Sequence, residues 1–133
     1  MLIYCDSAII IYYYEHTGPF KVRAIQRLMT LRAAGDQIAV SDLVRLECRV
    51  KPIRLGNGAA LAIFDGFFAM PDIQLIPITT AVFDRATLIR AHHKFSLPDS
   101  LHLAAAVEAG CDSFLTNDTR LAAFTDIIVE VLP

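Results

Sequence analysis

The chain has 133 residues, long enough to form one domain with a substantial hydrophobic core. Apolar residues make up 55% and charged residues 20%, which excludes long disordered stretches. A net charge of −2 excludes a protein that coats nucleic acid through bulk positive potential, though not one with a local basic patch.

Short apolar runs alternate with longer helical patterns, which predicts an α/β fold with a parallel sheet and helices on its faces. Strands are expected near 2–6, 37–41, 73–77, 112–116 and 127–131. Helices are expected near 7–15, 19–34, 42–54, 58–70, 80–95, 98–109 and 119–124. Gly18-Pro19, Gly35-Asp36, Gly56-Asn57-Gly58, Pro71-Asp72 and Gly110 fall between these segments, where chain breakers belong. Pro98 suits a first helical turn, where its missing N–H is harmless. No repeat, low-complexity segment or linker divides the chain, so residues 1–133 read as a single domain.

Cys5, Cys48 and Cys111 are odd in number and share no C-x-x-C spacing. That argues against a disulfide framework or a structural zinc site and predicts a reducing, cytoplasmic location. The opening residues lack the basic start and long apolar core of a signal peptide. No stretch reaches the length of a membrane span.

Four carboxylates occupy positions where a packed α/β fold tolerates bare charge poorly: Asp6, Glu47, Asp99 and Asp118. Asp6 ends the apolar run Leu2-Ile3-Tyr4-Cys5. Tyr4 shares its strand face, and ligands of α/β proteins gather at the C-terminal ends of parallel strands. An aspartate between a strand and a helix also serves simply as an N-cap. Glu47 invites helical arithmetic. At about 100° per residue from Leu43, Val44 lies near 100°, Leu46 near −60°, Val50 near −20° and Glu47 near 40°. The glutamate therefore falls within an apolar arc, with Asp42, Arg45 and Arg49 opposite. A buried pair with an arginine is the structural alternative.

Asp99 follows Pro98 in the first turn of an Ala-rich helix, where negative charge suits the helix dipole. That helix is apolar nearly all round, which predicts burial and aims Asp99 above the sheet. Asp118, after Thr116 and Asn117, ends a strand and can cap a short helix. His102 stands three residues after Asp99 and either packs in its helix or approaches the acids. His92-His93 ends a basic helix and is expected to meet solvent. If the four acids converge, their natural occupant is a hard divalent cation, and its natural work is phosphate chemistry. There is no Walker loop, G-x-G-x-x-G, G-x-S-x-G or H-E-x-x-H.

Four segments, in order, resemble those of PIN-domain ribonucleases, in particular the VapC-like toxins of type II toxin–antitoxin systems. They are Tyr4-Cys5-Asp6-Ser7, Ser41 to Glu47, Leu97 to Ala106 and Phe114 to Leu121. Ser100 stands where alanine is frequent in the family. The resemblance implies a single PIN-like domain whose five-stranded parallel sheet has the order 3-2-1-4-5, flanked by about seven helices. It implies a metal-dependent endoribonuclease that uses Mg²⁺ or Mn²⁺ and leaves a 5′-phosphate and a 3′-hydroxyl. Asp6, Glu47, Asp99 and Asp118 would be the catalytic, metal-holding acids. Ser7, Thr116 and Asn117 could orient waters or phosphate oxygens from behind them.

An acidic pocket repels RNA, so basic surface is needed nearby. Arg45, Arg49, Lys51 and Arg54 could supply it, or could be an ordinary solvated helix face. An antitoxin partner and a homodimer are implied by the family. Phe64, Phe67, Phe68 and Met70 suit a partner groove, although core packing is the stronger reading for at least two of the aromatics. Alternatives are another metal-dependent nuclease or phosphatase acting on DNA or phosphoesters, and a non-catalytic PIN-like binding module. Aspartyl-nucleophile phosphatases want a second aspartate two residues after the first, where this chain has Ala8.

Overall fold

The computed structural model describes residues 1–14 and 18–133. Five strands form one parallel sheet: β1 (Leu2–Cys5), β2 (Gln37–Ser41), β3 (Ile73–Ile76), β4 (Ser113–Thr116) and β5 (Ile128–Val131), in the order β3-β2-β1-β4-β5. The α-helices are α1 (Ser7–Tyr14), α2 (Pro19–Ala33), α3 (Asp42–Arg54), α4 (Gly58–Phe68), α5 (Thr80–His92) and α6 (Leu97–Glu108). The expected seventh helix, 119–124, is a 3₁₀ turn over Thr119–Ala123, so the described residues hold six α-helices rather than about seven. It has room for little more than one turn before β5 must begin. The expected end of the first helix at residue 15 lies outside the described residues.

Every other expected element is present within three residues of its bounds. The punctuation works by geometry. Gly35 and Gly110 follow α2 and α6 with φ of +79° and +70°, where a side chain would clash with its own backbone. Pro98 lies in the first turn of α6, and the Ser96 hydroxyl caps that helix by accepting from the Asp99 N–H at 3.2 Å.

Ile3, Tyr4 and Cys5 of β1 are consecutive and all buried, as are Ile38 to Ser41 of β2 and Phe114 to Thr116 of β4. Burial of consecutive residues means that both faces of the central strands are covered. All three cysteines are buried. Among the described residues no helix is long and apolar enough to cross a membrane.

Helix α3 corrects one expectation. Its buried residues are Val44, Cys48 and Pro52, while Leu46, Val50 and Ile53 are exposed. The helix carries two apolar stripes, and packing against α1, α4 and α6 takes only one. Glu47 sits at the margin of the buried stripe rather than in its middle.

Candidate metal and active site

The pleat determines which side chains meet. Tyr4 pairs with Ala39 on β2 and with Phe114 on β4. Residues two further along each strand point to the same side: Asp6, Ser41 and Thr116. The Asp6 N–H continues the ladder to the Leu115 carbonyl at 3.0 Å. Helix α6 contacts β2 and β4, and Asp99 and His102, three residues apart, share one side of it. Helix α3 contacts α6, which brings Glu47 to the same rim.

Around this rim the carboxylates are held in two groups. On the inner side, Asp6 Oδ2 accepts from the Thr116 hydroxyl at 2.8 Å. Glu47 Oε1 accepts from the Ser7 hydroxyl at 2.7 Å and lies 2.5 Å from His102 Nε2. The same ring nitrogen is 3.9 Å from Asp6 Oδ1. On the outer side, the Arg120 guanidinium donates to both oxygens of Asp118, at 3.1 and 2.6 Å, and lies 3.6 Å from Asp99 Oδ2. Asp118 also performs the expected cap, accepting from the Arg120 N–H at 3.0 Å, and its own N–H donates to Thr116 Oγ1 at 3.1 Å.

Proton affinities follow from these partners. Burial raises the pKa of Asp6 above its ordinary value; His102, the Thr116 hydroxyl and the Ser7 N–H pull it back, and nearby Asp99 pushes it up again. For Glu47 burial is the largest single influence and acts upward. The hydrogen bonds from His102 and Ser7 outweigh it and leave the pKa lowered. The Arg120 hydrogen bond lowers that of Asp118.

The other expected residues divide. Ser7 and Thr116 each hydrogen-bond a carboxylate, whereas Asn117 donates to the Tyr12 hydroxyl at 3.1 Å. Arg45 pairs with Asp42 at 3.6 Å and Arg49 with Asp65 at 2.9 Å, so part of the anticipated basic charge is already matched. Arg45, Arg49 and Arg54 line the outer surface of α3 with Leu46 and Ile53. Lys51 instead lines a cleft of about 380 Å³ with Glu47, Ile11, Tyr14 and Phe64, between α1, α3 and α4. Phe64 and Phe67 are buried in the core, Phe68 is half-buried and Met70 exposed. His92 meets solvent, but His93 does not do so freely, since it stacks on Phe95 with ring centres 5.0 Å apart.

Arg120 was not anticipated, and His102 is more than a packed helix residue. The Asp-x-x-His spacing on α6 and the Asp-Thr-Arg turn were the available signals.

Among the described residues no three His, Cys, Asp or Glu side chains stand ready as a metal cluster. Two positive or hydrogen-donating groups, His102 and Arg120, instead tie the acids together. The donor chemistry nevertheless fits a hard cation. All four acids offer oxygen, and Asp6, 13% exposed, has its pKa raised chiefly by burial. The Arg120 side chain is 69% exposed, so solvent rather than packing surrounds it.

The PIN domain family profile matches residues 3–127. No curated protein sequence matches the chain significantly. Among solved structures, VapBC2 of Rickettsia felis bound to a promoter DNA fragment matches with a TM-score of 0.80 and 16% identity, covering 100% of each chain. DNA-bound VapBC of Salmonella typhimurium matches with 0.79 and 17%, again covering 100% of each. The sarcin-ricin loop-cleaving toxin VapC20 of Mycobacterium tuberculosis matches with 0.75 and 15%, covering 95% of this chain and 98% of that one. With the strand order, the buried central strands and the acidic rim already described, the profile match means that the chain belongs to the PIN domain family, with a fold like that of VapC toxins.

Proposed function

We propose that the protein is a metal-dependent endoribonuclease, the toxin of a toxin–antitoxin pair. The observation that carries this reading is the gathering of Asp6, Glu47, Asp99 and Asp118, from four separate elements, at the C-terminal rim of β1 and β4. Like charges are costly to assemble without a function for them. Asp6 and Asp99 would hold a divalent ion of the Mg²⁺ or Mn²⁺ kind, with Glu47 and Asp118 on either side. Such an ion, when bound, acidifies a coordinated water and neutralises charge at a scissile phosphate.

The chain's own residues do the rest. Thr116 orients Asp6, Ser7 and His102 orient Glu47, and Arg120 leaves Asp118 and Asp99 to meet a phosphate oxygen of the RNA. Arg45, Arg49, Lys51 and Arg54 would attract the RNA backbone more weakly, in proportion to the charge their acid partners leave unmatched. Asn117, turned to Tyr12, has no part in this scheme. An antitoxin would cover the rim and enter the cleft beside Glu47, whose apolar wall suits a partner side chain. Self-association into a homodimer, and a cytoplasmic location, belong to the same proposal.

One observation favours a second reading, a non-catalytic PIN-like binding module: His102 and Arg120 already satisfy the acids. Incubating the purified chain with labelled RNA and DNA, with Mg²⁺, Mn²⁺ or chelator, separates the two. Cleavage of RNA that chelator abolishes is the expected result. Metal-independent cleavage would overturn the mechanism, and binding without turnover would favour the module. Light scattering of the purified chain, expected to give the mass of two copies, tests the dimer.

A further inference from the structure

Glu47 is the least restrained of the four acids by its backbone. It sits mid-helix at the margin of the buried stripe, its side chain is 33% exposed, and it has three rotatable bonds. Left alone, such a side chain samples solvent. Two donors hold it here, and one of them is unusual. His102 is 2% exposed, in a run from Ser100 to Ala106 where every residue is buried. Packing alone would be served by another leucine or alanine. A buried imidazole needs a partner for each nitrogen, and this one has both. Nδ1 lies 2.7 Å from the Tyr4 hydroxyl, and Nε2 meets Glu47.

The far end of the chain of contacts carries its own sign. The Tyr4 hydroxyl also lies 2.8 Å from Ser41 Oγ. Ser41 is the N-cap of α3, a position where serine ordinarily bonds the helix's free N–H groups, yet its hydroxyl makes no capping bond. It is given to Tyr4 instead. Tyr4 is fully buried, and its ring stacks on Phe114 at 5.1 Å with planes 9° apart, which fixes where the hydroxyl points.

The polarity of the whole chain follows from its last member. A carboxylate only accepts, so Nε2 carries a hydrogen and donates to Glu47. With the ring neutral, Nδ1 accepts from Tyr4, whose oxygen then accepts from Ser41. The direction runs from the end of β2, through β1 and α6, to α3. At 3.9 Å, Asp6 is too far from Nε2 for a hydrogen bond, so the ring serves Glu47 and leaves Asp6 to Thr116.

We propose that His102 is the positioning residue of the site, locked by the Ser41–Tyr4 pair so that its Nε2–H holds Glu47 at the rim. Both His102 and Ser7 bond Oε1, which leaves Oε2 unengaged by either. This inference rests on the reading of Glu47 as a metal-holding acid, but the lock itself can be read without metal or substrate.

The first measurement is long-range ¹H–¹⁵N NMR of the metal-free full chain. A protonated Nε2 and an acceptor-type Nδ1 are expected at His102, with the Nε2–H signal shifted in Glu47→Ala and the Nδ1 signal shifted in Tyr4→Phe. A His102 ring indifferent to both substitutions would overturn the lock. The second is Mn²⁺ binding by electron paramagnetic resonance. His102→Leu, which keeps bulk but donates nothing, should weaken binding by about 10–100-fold, as loss of an outer partner does. His102→Gln, whose amide can donate in place of Nε2–H, should recover much of it.

Tyr4→Phe removes one oxygen only and should show a smaller loss in the same direction, keeping the proposal testable if His102→Leu misfolds. In RNA cleavage these variants should lower kcat more than they raise KM. Unchanged Mn²⁺ affinity in folded His102→Leu or Tyr4→Phe would overturn the positioning role. If the wild-type chain neither binds Mn²⁺ nor cuts RNA, while the ring signals respond as described, the nuclease reading fails and the lock stands.

Discussion

The two sides of the acidic rim solve one problem in opposite ways. On the inner side, Asp6 and Glu47 are held by Thr116, Ser7 and His102, groups that are themselves fully or nearly buried. On the outer side, Asp99 and Asp118 face one arginine whose side chain is 69% exposed and tethered two residues along the chain. Rigid hydrogen bonds determine where the inner acids stand. A flexible cation merely neutralises the outer ones, and it can leave. A site of the proposed kind, admitting an ion and a phosphate, would use both: fixed ligands on one flank and a removable counter-charge on the other.

The sharpest way to break this contrast is to neutralise one acid on each side. Asp6→Asn and Asp99→Asn should both fold and both lose RNA cleavage by more than a hundredfold, beyond the roughly 10–100-fold expected for an outer partner. Full activity in either would remove that acid from the mechanism. The two should differ in stability. Burial raises the folded-state pKa of Asp6, so its contribution is favourable at low pH and is lost as pH rises through that pKa. Asp6→Asn should therefore melt a few degrees higher than wild type at neutral pH without metal. Thermal denaturation across pH checks this, and a lower melting temperature at neutral pH would contradict it.

Arg120→Ala comes next in size. With the counter-charge gone, Mn²⁺ should bind several-fold more tightly, whereas loss of the inner donor His102 weakens binding. Calorimetry gives both signs, and tighter binding in neither case would erase the distinction. For Asp118 the pH dependence reverses that of Asp6. Its lowered pKa means that its stabilising pair with Arg120 is present at neutral pH and lost as pH falls through that pKa, and because the pair is exposed the effect should be small.

Ser100→Ala is a still finer test of the inner side. The Ser100 hydroxyl is buried with no hydrogen-bond partner among the described residues, so removing it should stabilise the chain by about 1 kcal/mol. A loss of stability would mean that the hydroxyl has a partner, such as a water. Smallest of all, charge removal at Arg45 and Arg49 together should weaken RNA binding only slightly and flatten its salt dependence, because Asp42 and Asp65 already offset both.

The sheet and its connections could be read from the chain because local chemistry specifies them. Apolar runs of four or five residues introduced by Gly35-Asp36, Pro71-Asp72 or Gly110 leave few choices of element. The acids could be found because a carboxylate at the end of an apolar run is conspicuous. What could not be read required a tertiary partner. Nothing local distinguishes the stripe of α3 that packs, Val44-Cys48-Pro52, from the stripe that faces solvent, Leu46-Val50-Ile53. Nothing near Ser41 says that its hydroxyl forgoes capping for a tyrosine on another strand. Asn117, Arg45 and Arg49 had the right chemistry but found other partners first.

The bond from Thr116 to Asp6 joins residues 110 positions apart and depends on the pairing of β1 with β4. A ribosome must release residue 116 before that hydrogen bond can exist, and Asp118 emerges later still. Pairing so distant in sequence is slow, so the inner side of the rim takes shape only when the first strand meets the fourth.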